Sequence, residues 1–99
     1  VTALVLSLKA EYFDAIRDGS KPKEYRLVND YWSKRLIGRS YSEIVLTKGY
    51  PARDDHERRL HRVWNGYGIE TITHPHFGDK PVRVFAIDVT MKGDNHAHR

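Results

Sequence analysis

The sequence predicts a small α+β domain, a curved β-sheet or barrel of five or six short strands with two covering helices. Three observations carry this expectation. The periodic segments run strand, helix, strand, helix and then a series of strands. Those later strands are short and interrupted by glycines, as a strongly curved sheet requires. The chain has 99 residues, which suits one modest core and is too short for two. The domain is expected over residues 1–92, with 93–99 as a flexible C-terminal tail that shows no periodicity.

Each element has its own warrant. From Ala3 to Leu8 the chain alternates, with Leu4, Leu6 and Leu8 on one face and Val5 and Ser7 on the other. Two largely apolar faces predict a central strand. Ala10 to Asp18 is predicted helical, because Tyr12, Phe13 and Ile16 fall on one stripe. Glu11 and Asp14 come early in it and Arg17 late, in the sense the helix dipole favours. Gly19 supplies the left-handed residue that ends such a helix. Pro22 then forbids more helix and biases Lys21 toward an extended backbone. A second strand follows from Lys23 to Val28. Asn29 is a natural N-cap for a helix over Asp30 to Ile37, closed by Gly38. Four-residue spacing pairs Tyr31 with Arg35 and Trp32 with Leu36, and Trp32 is assigned to the core.

Ser42 to Lys48 is a third strand, ended by the turn Gly49-Tyr50-Pro51. Ala52 to Arg59 is dense in charge and reads as an exposed loop with at most one helical turn. A fourth strand runs from Leu60 to Trp64. Gly66 and Gly68 then mark a bulge or sharp bend before strand character resumes from Ile69 to Thr73. Residues 74–81 are a loop, and Val82 to Met91 is the last strand.

Composition narrows the partners. Six Tyr, three Phe and two Trp mark a chain that folds. A net charge of +4 and a pI near 9.5 favour an anionic partner such as nucleic acid, or else a solvated basic surface. The absence of cysteine excludes disulfides, thiolate nucleophiles and Cys-ligated zinc, and fits a cytoplasmic protein. No apolar run approaches the ~20 residues of a membrane span and no signal-peptide pattern appears, so no membrane partner is expected.

The densest chemistry lies in Gly19-Ser20-Lys21-Pro22-Lys23-Glu24-Tyr25-Arg26. Strand alternation puts Glu24 and Arg26 on one face and Lys23 and Tyr25 on the other, with Lys21 at the strand mouth. Lys21 and Arg26 offer donors to a phosphate or carbonyl, Arg26 bidentately. Glu24, flanked by two cations, is suited to accept a hydrogen bond or activate a water rather than to donate a proton. The same trio is also explained by a plain Arg26–Glu24 salt bridge at the barrel mouth.

Leu6-Ser7-Leu8-Lys9, a short helix, and then the pattern Gly19-x-Lys21-x-x-Glu24-x-Arg26 resemble the ASCH domain of the PUA-like superfamily. The closing strand Val84-Phe85-Ala86-Ile87 is similar in placement, so the resemblance covers most of residues 4 to 90. It implies a small PUA-like β-barrel with a basic cleft that binds RNA or a modified nucleoside. It also implies two enzymatic alternatives, since relatives include amidohydrolases of an acylated cytidine and members linked to ribonuclease activity. The amidohydrolases use a lysine, a threonine and a glutamate. The lysine matches Lys21, the threonine falls at Glu24, which has no hydroxyl, and the glutamate has no evident counterpart.

The expected ligand-binding residues are therefore Lys21, Glu24 and Arg26, joined by Lys9 on the first strand and by the aromatics Tyr50, Trp64 and Tyr67 as stacking platforms. If the protein is an enzyme, a metal-independent hydrolase, Lys21 and Glu24 are its catalytic pair. A protein-interaction module is the remaining alternative. Arg53, Arg58, Arg59, His61 and Arg62 read as a phosphate-tracking rim or a solvated loop. His74-x-His76 has the spacing of a metal-ligand pair, to which His61 would add a third nitrogen, but a turn explains it as well. No metal and no cofactor are expected.

Overall fold

The structure, a computed structural model, describes residues 2–91; the tail expected over 93–99 lies outside the described residues. The elements are β1 (Ala3–Leu8), α1 (Ala10–Arg17), β2 (Lys23–Leu27), α2 (Asp30–Leu36), β3 (Glu43–Lys48), β4 (Arg59–Val63), β5 (Tyr67–Ile72) and β6 (Val82–Asp88). Single 3-10 turns lie at His56–Arg58 and Pro75–Phe77.

The six strands form two three-stranded sheets, ordered β1-β3-β4 and β2-β6-β5, rather than one closed barrel. β1 runs parallel to β3, which the long connection through both helices permits; every other pairing is antiparallel. β1 is an edge strand, contrary to the central place its alternation predicts. Leu4, Leu6 and Leu8 are buried, but Val5 is 57% exposed. Its second face holds one large apolar side chain and leaves it in solvent, as an edge permits. The central places go to β3 and β6, the strands with continuous buried runs, Ile44 to Thr47 and Val84 to Ile87.

One core joins the layers. Leu4, Leu6 and Leu8 of β1, Ile44 and Leu46 of β3, and Phe85 and Ile87 of β6 form a single cluster with Phe13 and Ile16 of α1 and Leu36 of α2. Both helices begin and end as their sequences dictate. The Asn29 side chain accepts the Trp32 N–H at 2.9 Å at the start of α2. Gly19, at φ +91°, turns the chain out of α1. Gly66, at φ +81°, carries the chain from β4 in one sheet to β5 in the other. Gly68 makes no bend; it lies within β5 opposite Ala86. The Asp88 N–H donates to the Gly66 carbonyl and extends the β5–β6 ladder up to this junction, and buried Arg62 joins the sheets there, its Nε donating to the Val89 carbonyl. Among the described residues no helix is long and apolar enough to cross a membrane.

Lys23 turns away from the core and pairs with Glu70 of β5. The hydrogen bond from Lys23 to Glu70, and then the carboxylate charge, hold the Lys23 ammonium above the ordinary lysine range. A group whose folded pKa is raised stabilises the fold below its unfolded value and ceases to do so as pH climbs through the folded one. Melting curves of the parent and Glu70→Gln should thus differ slightly at neutral pH and converge under alkaline conditions that neutralise Lys23. Leu46→Ala, fully buried in the central strand, should cost about 2–5 kcal/mol in urea unfolding. Val5→Thr at the exposed edge should stay within about 0.5 kcal/mol.

Candidate functional site

β1 and β2 are edge strands of different sheets, and no backbone ladder joins them. Between them opens a cleft of about 250 Å³, lined by Ser7 to Lys9 from β1 and its end, by Glu24 to Leu27 from β2, and by residues of α1, α2 and the loop after β5. Gly19 and Pro22 shape the turn that brings Lys21 back to its mouth, where the Lys21 N–H also bonds the Ala15 carbonyl. Alternation along β2 then points Glu24 and Arg26 the same way.

Glu24 is the centre of this arrangement. Its side chain is only 8% exposed, and both oxygens are engaged. Oε2 accepts from Arg26 Nη2 at 2.8 Å, and Oε1 lies 3.5 Å from Lys21 Nζ. Each cation is held elsewhere too. Arg26 Nη2 donates to the Ser7 carbonyl on β1 at 3.2 Å, so one guanidinium bridges the two edge strands. Lys21 Nζ donates to the Lys23 carbonyl at 2.7 Å. Aromatic faces complete the packing. Lys21 Nζ lies 4.9 Å from the Tyr25 ring centre and 5.4 Å from that of Tyr12, and the Arg26 guanidinium sits 5.1 Å from the Trp32 ring centre. Arg26 Nε is buried without a partner among the described residues.

The opposite wall comes from the loop after β5. His74 and His76 each stand edge-on to Tyr12 at 6.4 Å, and Phe77 follows them. The His74 Nδ1 accepts the His76 backbone N–H at 3.1 Å, which places the His74 proton on Nε2. The His74-x-His76 spacing thus serves a capped turn that faces the cleft. Among the described residues no group of three or more ligating side chains is placed to hold a metal ion.

Of the residues singled out in the sequence, Lys9, Lys21, Glu24 and Arg26 come together in the cleft. Tyr50, Trp64 and Tyr67 do not line it. Tyr50 is 93% exposed on the turn after β3. Trp64 packs edge-on to Tyr41, and Tyr67 edge-on to Phe85, both against the core. The basic cluster of the charged loop divides between buried and exposed side chains, Arg53, Arg58 and His61 being exposed. Arg62 is buried, Arg59 donates to the Pro51 and Ala52 carbonyls, Arg58 pairs with Asp55, and His61 with Glu43.

The aromatics that do line the cleft are Tyr12, Tyr25, Trp32 and Phe77. Sequence reasoning put Tyr12 on an apolar stripe and Trp32 in the core. Both pack against the core from the cleft side, and only the nearby cations of the signature hinted at a second use. Comparison with protein-family models, with curated proteins and with solved structures finds no match for this chain.

Glu24→Gln removes the charge that both cations share. Breaking a fully buried pair costs ~3–5 kcal/mol. Here the partners are about one-fifth exposed, so a loss of about 1–3 kcal/mol in urea unfolding is expected. A loss below about 0.5 kcal/mol would show that the cations hold their places without the carboxylate.

Proposed function

We propose that the chain is an RNA-binding domain of the ASCH type, an open form of the PUA-like barrel, whose cleft takes a single nucleotide or modified nucleoside. The observation that carries this reading is the buried Glu24 carboxylate with Lys21 and Arg26 fixed on either side of it, in a cavity walled by aromatic rings. The cavity, about 250 Å³, lies just below the ~300–1,000 Å³ typical of sites for drug-sized ligands. That suits one planar unit and does not suit a threaded strand. Cations offer contacts to phosphate or carbonyl oxygens, and ring faces offer stacking worth ~1–3 kcal/mol per base.

Hydrolysis by Lys21 and Glu24 is the weaker reading. A carboxylate that activates water must be reachable by that water, whereas the Glu24 side chain is only 8% exposed between two cations. Glu24 is better placed to fix two cations than to take a proton. A protein-interaction module has no comparable support, because a cavity of about 250 Å³ holds one small unit and is not an extended docking face.

Binding of short single-stranded RNAs, followed by fluorescence anisotropy across a salt series, tests the proposal. Lys21→Ala should weaken binding by about tenfold and reduce the salt slope by about one. Tyr50→Ala, outside the cleft, should leave it unchanged. Absence of binding by the folded protein at low salt, or equal binding by Lys21→Ala, would overturn the proposal. Incubation with acylated cytidine should release no product; turnover lost in Glu24→Gln would restore the hydrolase reading.

A further inference from the structure

The hydrogen-bonding inventory of the cleft is one-sided. Its lining carries Lys9, Lys21 and Arg26 against the single carboxylate of Glu24, a net charge of +2 with neutral imidazoles. Glu24 is flanked by two of those cations and its side chain is only 8% exposed, so it turns little acceptor surface toward a guest. Asn29 also lines the space, and its Oδ1 is taken by the Trp32 N–H, which leaves the amide N–H2 as its free face. His74 accepts on Nδ1 and so carries its proton on Nε2. Lys9 pairs with no acid among the described residues. Unused groups are therefore almost all donors, and their charge is not balanced within the cleft. A neutral nucleoside would leave that charge uncompensated, whereas a phosphate monoester offers only acceptors and close to two negative charges.

We infer that the cleft selects a ligand whose ring is joined to a phosphate monoester, a free mononucleotide or the phosphorylated end of an RNA strand. This rests on the nucleotide-binding reading above and narrows it. The ring packs among the aromatic walls, while the phosphate is met by Lys9, by the donors that Glu24 leaves free on Lys21 and Arg26, and by the His74–His76 turn. The cavity holds one unit, so a phosphate inside a strand does not reach these donors without the strand being bent out around them. A terminal phosphate does.

Calorimetry with adenosine, uridine, their 5′- and 3′-monophosphates, inorganic phosphate, and a short RNA with and without a terminal phosphate decides the matter. A monophosphate should bind roughly ten- to a hundredfold more tightly than its nucleoside. Lys9→Gln and His76→Gln should each lower monophosphate affinity by about three- to tenfold more than nucleoside affinity. If the phosphorylated RNA binds more tightly than the free mononucleotide, the strand end is the ligand; if the two are equal or the mononucleotide is tighter, it is the free nucleotide. Equal binding of nucleoside and monophosphate overturns this inference and leaves the nucleotide-binding reading standing. Inorganic phosphate binding as tightly as the nucleotides overturns it as well, because the ring then contributes nothing. Failure of every nucleoside, nucleotide and RNA to bind overturns both readings.

Discussion

The Arg26 guanidinium holds one side of this molecule together. It reaches from β2 to the Ser7 carbonyl at the free edge of β1, and it stays in place because Glu24 fixes the same nitrogen and Trp32 packs against the group. In a closed barrel that junction would be a ladder of backbone hydrogen bonds, with neighbouring strands ~4.7–4.9 Å apart. Here a side chain makes the link. A bridge the length of an arginine keeps the strands apart, and the space it keeps is the cleft.

The other junction between the sheets shows the contrast. At the end of β6, a buried arginine strut from Arg62 to the Val89 carbonyl joins the layers, with Gly66 bending the chain across. Both seams use an arginine on a main-chain carbonyl. Arg62 is 8% exposed, and its seam is sealed. Arg26 retains a partly exposed side chain beside two other cations and opens onto solvent. The same residue type lies in a sealed seam in one place and beside an open cleft in the other, and the difference lies in what packs beside it.

Much of this was legible in the chain. Helix ends followed from Gly19 and Asn29, and the strands from alternation or from continuous apolar runs. Glu24 and Arg26 could be placed on one face because a strand has a period of two. Three things were not legible. The edge position of β1 depends on which strand finds which partner, and Leu-Val-Leu alternation is compatible with either place. The return of His74 and His76 to the cleft depends on the path of a loop whose local sequence signals only a turn. The assignment of Tyr50, Trp64 and Tyr67 to stacking rested on their nearness to glycines and turns, whereas burial is a tertiary property. Trp64 and Tyr67 had rings to pack against, Tyr41 and Phe85, and Tyr50 had none. The aromatics that face the cleft sit instead on elements whose stripes already looked accounted for by the core.

Why the seam should be polar at all is the remaining question, and energetics bear on it. A buried ion pair seldom stabilises a fold more than apolar side chains of equal size would, because each charge must shed its water. Three apolar residues at positions 21, 24 and 26 would close this junction as well or better. They would also fill it. The charged trio pays for its desolvation only in part, through Glu24, the Ser7 and Lys23 carbonyls and three aromatic faces, and it leaves N–H groups directed at a cavity. For stability alone that is a poor arrangement, since donors without protein acceptors contribute nothing to the folded state. It becomes a favourable one when a solute supplies the acceptors, because cations already held in place lose little further freedom on binding.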